Sequence, residues 1–106
     1  MFLYKVKWEP TSDGIGGEVN FENGYGASIV CRSMSYGGAK GMWEVGLLKG
    51  DDLATLNSEK NVKLCPEFKT SEVDGWLKLE NVESLLSRIS KLEGKRSQIQ
   101  ITPVAN

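Results

Sequence analysis

Cys31 and Cys65 are the chain's two thiols, and it contains no histidine. Without imidazole there is no Ser–His or Cys–His nucleophile pair, no imidazole ligand for zinc and no histidine acid–base catalysis. The two cysteines stand 34 residues apart, form no CxxC unit and cannot fill a four-ligand metal site. A nucleophilic thiol needs a lowered pKa and a partner base, and the sequence places no such base beside either one. Cys31 lies in an apolar alternating run, which predicts a thiol packed as a small hydrophobe and shielded from reagents. Small secreted domains usually carry several disulfides, and no export signal is visible, so two reduced thiols in a cytoplasmic chain are expected.

Carboxylates offer little more. Asp51 and Asp52 are adjacent, so on a strand they point to opposite faces and in a turn they cap amides. Glu80 and Glu83 share the first turn of an expected helix, where acids are favourable for electrostatic reasons alone. The glycine-rich stretches fail as phosphate loops. Gly37-Gly38-Ala39-Lys40-Gly41 has no hydroxyl after its lysine and leads into a strand pattern, as does Gly14-Ile15-Gly16-Gly17. Strand alternation puts Lys5 and Lys7 opposite Tyr4 and Trp8, so they build no stacking platform for single-stranded nucleic acid. No catalytic residue, metal site or cofactor is expected.

Composition agrees with this reading. The 106 residues fit one domain, and 40% apolar with 25% charged residues is near the globular average. Thirteen basic against fourteen acidic side chains give a net charge of −1, which argues against nucleic-acid binding through a basic field. No apolar run approaches the roughly 18 residues of a membrane span.

The elements that must carry any site follow from periodicity. Phe2, Tyr4, Val6 and Trp8 share one parity, predicting a half-buried strand ended by Pro10. Thr11–Gly17 reads as a mobile turn region. Asn23-Gly24 between alternating runs predicts a hairpin with a type I′ turn. A glycine-rich connection over 33–41 then leads to a strand over 42–48, closed by a turn at Lys49-Gly50-Asp51-Asp52. The stretch from Leu53 to Val73 reads as a long loop with a short strand near Val62–Cys65. Val82, Leu85, Leu86, Ile89 and Leu92 form a single apolar stripe, predicting one amphipathic helix. Arg88 and Lys91, with Lys95 and Arg96 beyond them, suit its negative end, and Gly94 is placed to terminate it. Ile99 and Ile101 predict a last short strand stopped near Pro103. Trp8 and Trp43 fall on core faces. The expected architecture is α+β: a mainly antiparallel sheet of about four to five strands with one C-terminal amphipathic helix packed on it.

Several segments together resemble a family of small uncharacterised phage and prophage proteins. They are the NGYG hairpin at 23–26 with Ala27-Ser28-Ile29-Val30, Tyr36-Gly37-Gly38, and the Trp43-Glu44-Val45-Gly46-Leu47-Leu48 strand. Leu64-Cys65 and Gly75-Trp76-Leu77 leading to Val82 and Leu85-Leu86 complete the set, so the likeness spans roughly residues 19 to 92. The stretch from Lys49 to Val62 is longer than that family's pattern, and Lys78 stands where a capping threonine is expected. The resemblance implies a non-enzymatic phage-type protein that binds and inhibits or modulates a host protein, with a CRISPR–Cas defence component as a candidate target. A homo-oligomeric accessory or structural role is the alternative, and a nucleic-acid-binding regulator ranks third.

A contact surface is expected at the end of the sheet. In the Ser33–Gly41 connection Tyr36 and Lys40 are the candidate contact side chains, since tyrosine offers apolar area and a hydroxyl at low entropic cost; the alternative is a Tyr36 folded back over the hairpin. Asp51 and Asp52 would join them if the topology brings that turn near. Trp76 is read first as a hydrophobic staple on the following helix and second as an exposed anchor.

Overall fold

A computed structural model describes residues 4–94 of the chain. Phe2, Lys95, Arg96 and the strand expected around Ile99 and Ile101 lie outside the described residues. The fold is the expected α+β, an antiparallel sheet with a C-terminal helix packed on it, and the sheet has six strands, one of them only two residues long. Strands β1 (Lys7–Thr11), β2 (Gly14–Asn20), β3 (Tyr25–Arg32) and β4 (Trp43–Lys49) form an antiparallel meander. The two-residue strand β5 (Asp52–Leu53) pairs with the C-terminal end of β4. Helix α1 (Glu59–Leu64) and a 3₁₀ turn at Pro66–Phe68 follow. Strand β6 (Val73–Leu77) then pairs antiparallel with the N-terminal half of β4, and helix α2 (Leu79–Ile89) closes the described chain.

The core explains the order. Register places Val19, Ala27 and Leu47 in one cross-strand row and Gly17, Ile29 and Val45 in the next. Val82, Leu85, Leu86 and Ile89 of α2, together with Leu92, are buried against this face. Burying such a side chain is worth about 1.5–3 kcal/mol, which an isolated three-turn helix could not supply for itself. Leu56, Cys65 and Phe68 extend the same core.

Several expectations change. β1 begins at Lys7 and runs through Pro10, because an edge strand tolerates a proline whose missing N–H faces away from the ladder. Thr11–Gly17 is not one long turn: only Ser12-Asp13 connect β1 to β2, and Gly14–Gly17 are strand residues. Gly17 reads as turn chemistry but serves packing, since a Cβ there would lie 2.6 Å from the Trp8 ring. The Trp8 ring, itself more than a third exposed, meets Trp43 at a centroid distance of 5.6 Å.

The Asn23-Gly24 hairpin forms, but not through a type I′ turn. Gly24 has φ +88°, whereas Asn23 is not in the left-handed region. The Gly24 N–H donates to the Phe21 carbonyl and the Phe21 N–H to the Tyr25 carbonyl, a three-residue loop with the glycine at its left-handed position.

Residues 53–73 are not mainly loop. Val62–Leu64 lie in α1, started by the Ser58 hydroxyl accepting from the Asn61 N–H at 3.2 Å. Six residues are too few for helical periodicity to declare itself.

Helix α2 ends at Ile89, five residues before Gly94, and Gly94 does not take left-handed φ. A side-chain amide ends it instead. Asn23 Nδ2 donates to the carbonyls of Ile89 and Leu92, both at 2.9 Å. At the other end, Lys78 has no side-chain acceptor to offer, and Asn81 Oδ1 accepts from the Lys78 N–H at 3.2 Å. Among the described residues no buried side-chain polar atom lacks a partner.

Candidate functional site

Antiparallel pairing of β3 with β4 puts the 33–41 connection at the Arg32/Trp43 end of the sheet. The turn carrying Asp51 and Asp52 lies at the opposite, Lys49/Tyr25 end, where the Gly50 N–H donates to the Gly24 carbonyl. The topology therefore does not bring Asp51 and Asp52 to Tyr36 and Lys40. It brings Trp76 there instead.

Trp76 is 56% exposed and Tyr36 60%, so Trp76 is an exposed side chain rather than a staple under α2. Leu77, packed against the core that contains Val82, holds the staple position. The two aromatic residues are fastened reciprocally. The Trp76 N–H donates to the Tyr36 carbonyl at 3.1 Å. Tyr36 lies over Gly75, where a Cβ would fall 3.0 Å from the Tyr36 carbonyl oxygen and closer still to its side chain. Trp76 lies over Gly37, where a Cβ would fall 3.0 Å from Trp76 Cα and 3.2 Å from its ring. Each ring thus rests on the glycine beside the other aromatic.

The register shift between β4 and β6 creates this crossing. Trp43 faces Leu77 and Val45 faces Asp74, leaving Gly75 and Trp76 against one residue of β4. The bulge places Trp76 at φ +58°, the left-handed region, which costs a non-glycine residue about 1 kcal/mol or more. Surrounding bonds hold it there.

A polar frame fixes the connection. Asp13, in the β1–β2 turn, accepts from the Ser33 hydroxyl at 2.6 Å, from Arg32 Nε at 2.9 Å and from the Thr11 hydroxyl at 3.2 Å. These hydrogen bonds, Ser33's first, hold its carboxyl at about 2, well below the usual carboxylate range. Ser35 Oγ accepts from the Arg32 N–H, and Glu44 Oε1 accepts from the Tyr36 N–H at 2.8 Å. Sequence reasoning missed Asp13 and Glu44, because a turn aspartate and a strand glutamate look like ordinary solvated residues. Lys40 is exposed on the 3₁₀ turn Gly38–Lys40, and Met34, 91% exposed, stands two residues before Tyr36.

Other concave regions among the described residues carry different chemistry. The sheet face away from α2 bears a shallow depression of about 460 Å³ lined by Lys7, Glu9, Glu18 and Arg32 among others, a mixed-charge surface. A notch of about 160 Å³ lies between β6 and α2. There Arg88 grips Glu67 through two hydrogen bonds of 2.8 and 2.7 Å and donates to the Leu64 carbonyl at 3.1 Å. The Arg88 bonds lower the Glu67 pKa, while burial and the neighbouring Glu67 charge raise that of Asp74. This ion pair ties the segment after α1 to α2.

Cys31 and Cys65 are both free thiols. The shielding expected of Cys31 belongs to Cys65: Cys31 is half-buried, whereas Cys65 is fully buried and its thiol is pushed up to about 11 by desolvation. A thiol so placed is neither nucleophile nor metal ligand at neutral pH. Among the described residues no three His, Cys, Asp or Glu side chains converge on a metal position, and no helix is long and apolar enough to cross a membrane. No protein family, curated protein or solved structure matches this chain.

Proposed function

We propose that the chain is a non-enzymatic binding protein that contacts another protein through the end of the sheet carrying Tyr36 and Trp76. One observation carries the reading: two large aromatic residues, each more than half exposed, are fastened to each other through the backbone and each other's neighbouring glycine, with Trp76 in a strained backbone conformation. Left in water, such groups gain nothing from the strain. In an interface, rigid Trp and Tyr side chains bury much area with little ordering entropy, and they are enriched among the residues that dominate binding energy. Lys40 and Met34 lie on the same connection and would form its rim. Asp51 and Asp52, at the far end of β4, belong to no part of this surface.

The phage-type resemblance supports a host protein as the partner, with a defence component among the candidates, and binding with inhibition or modulation as the action. The test uses the full chain, immobilised and exposed to bacterial lysate, against Tyr36→Ala/Trp76→Ala. The expected result is one stoichiometric host protein retained by the parent chain and lost with the double variant, at near-parent thermal stability. Retention by the double variant would overturn the surface. Self-association as the sole interaction would favour the homo-oligomeric role instead.

A further inference from the structure

Asn-Gly sequences are chemically fragile, because the small glycine lets its backbone nitrogen reach the preceding side-chain amide. In this chain the Asn23-Gly24 pair is also the latch on the end of α2. Asn23 is buried, and all of its amide chemistry is engaged: Oδ1 accepts from the Tyr25 N–H at 3.0 Å, and Nδ2 donates to the Ile89 and Leu92 carbonyls. The Gly24 N–H is held by the Phe21 carbonyl at 3.2 Å. The segment after α2 presses on the same place, since a Cβ at Gly94 would strike the Asn23 carbonyl and the Tyr25 ring. Asn61 fastens that segment by donating to the Glu93 carbonyl at 2.9 Å and accepting from the Glu93 N–H at 2.8 Å.

We infer that Asn23-Gly24 is a fold-gated deamidation site, protected while the 92–94 segment is latched and modified when it opens. In the open state the Gly24 nitrogen gives its proton to base and attacks Asn23 Cγ. An N–Cγ bond forms, the Cγ–Nδ2 bond breaks, and the amide nitrogen leaves as ammonia with a proton from solvent. The resulting succinimide takes up one water at either carbonyl and opens to aspartate or isoaspartate. The product cannot restore the latch. A carboxylate has no donor for the Ile89 and Leu92 carbonyls, and its oxygen would face theirs without a proton between them. Isoaspartate further lengthens the backbone inside a three-residue loop. The reaction is therefore a one-way release of the α2 terminus, and its rate reports how often the latch opens.

The full chain is incubated in mildly alkaline buffer with and without denaturant, and the amide-to-acid mass gain at Asn23 is followed on peptides. Native modification should be at least about tenfold slower than denatured, since each ~1.4 kcal/mol of opening free energy is a factor of ten. Asn61→Ala, which frees Glu93 without touching Asn23, should accelerate native modification several-fold while circular dichroism stays native. Gly24→Ala in denaturant should slow it, as the succinimide route requires. Equal native and denatured rates, or no acceleration in folded Asn61→Ala, would overturn the gating. If that variant does not fold, the native-to-denatured ratio decides alone. An unaffected rate in denatured Gly24→Ala would overturn the chemistry.

Discussion

Replacing Gly75 by alanine inserts a single methyl group beneath Tyr36. Carbon atoms settle at about 3.5–4.0 Å, yet this Cβ would lie 3.0 Å from the Tyr36 carbonyl oxygen and closer still to its Cβ. Two of the obstructing atoms are backbone or attached directly to it, so no side-chain rotation relieves the clash. Either the 36–38 connection lifts from β6, stretching the 3.1 Å bond from the Trp76 N–H to the Tyr36 carbonyl, or the bulge itself shifts. Overpacking of this kind costs about 1–3 kcal/mol, and a weakened hydrogen bond falls within that range. For a chain of this size, each kcal/mol moves the melting temperature by about 4–8 °C. Gly16→Ala is the matched control. Its Cβ meets nothing nearer than Val30 Cγ1 at 3.5 Å and its φ is not left-handed, so the gain from restricting the unfolded chain, about 0.4–1 kcal/mol, should show as stabilisation. Denaturant titration of both variants against the parent reads the difference. Gly75→Ala as stable as the parent, or the two variants changing stability in the same direction, would refute the reciprocal seating of Tyr36 and Trp76.

Leu86, fully buried in the middle of the α2 stripe, should cost about 2–5 kcal/mol on replacement by alanine, read as a fall in denaturant midpoint; an unchanged midpoint would mean that α2 does not dock through this face. Asp13 titrates at about 2 in the folded chain, below its unfolded value, so its contribution is complete above about pH 5 and is lost as pH falls toward about 2; Glu67 is shifted in the same direction and loses its contribution on acidification likewise. Melting curves across that window should be flatter for Asp13→Asn and Glu67→Gln than for the parent, with Asp74, shifted upward, acting in the opposite sense. Under native conditions a thiol reagent should modify half-buried Cys31 first and Cys65 only on unfolding; simultaneous modification at the native rate would contradict the core position of Cys65.

The sequence determined the parts whose signal is local and periodic. Four apolar residues at helical spacing, with Leu92 just past the helix, specify α2 and its buried face, and alternation around Asn23-Gly24 specifies β3 and the hairpin, since each pattern is set by the geometry of one element. The position of Tyr36 on an exposed connection between two strands was equally legible. Glycine misled where its role is spatial: Gly17 reads as a turn residue but makes room for the Trp8 ring, and Gly75 makes room for Tyr36 with no local signal of that role. α1 and β6 escaped notice because six and five residues carry too little period, and a β-bulge erases what alternation β6 had. Only tertiary structure decided which candidate residues meet. Antiparallel register sends Asp51 and Asp52 to one end of β4 and the 33–41 connection to the other, and the late pairing of β6 with β4 carries Trp76 to Tyr36 across about forty residues of sequence. Pairing between strands distant in the chain depends on the burial of a common face, and no single segment records it.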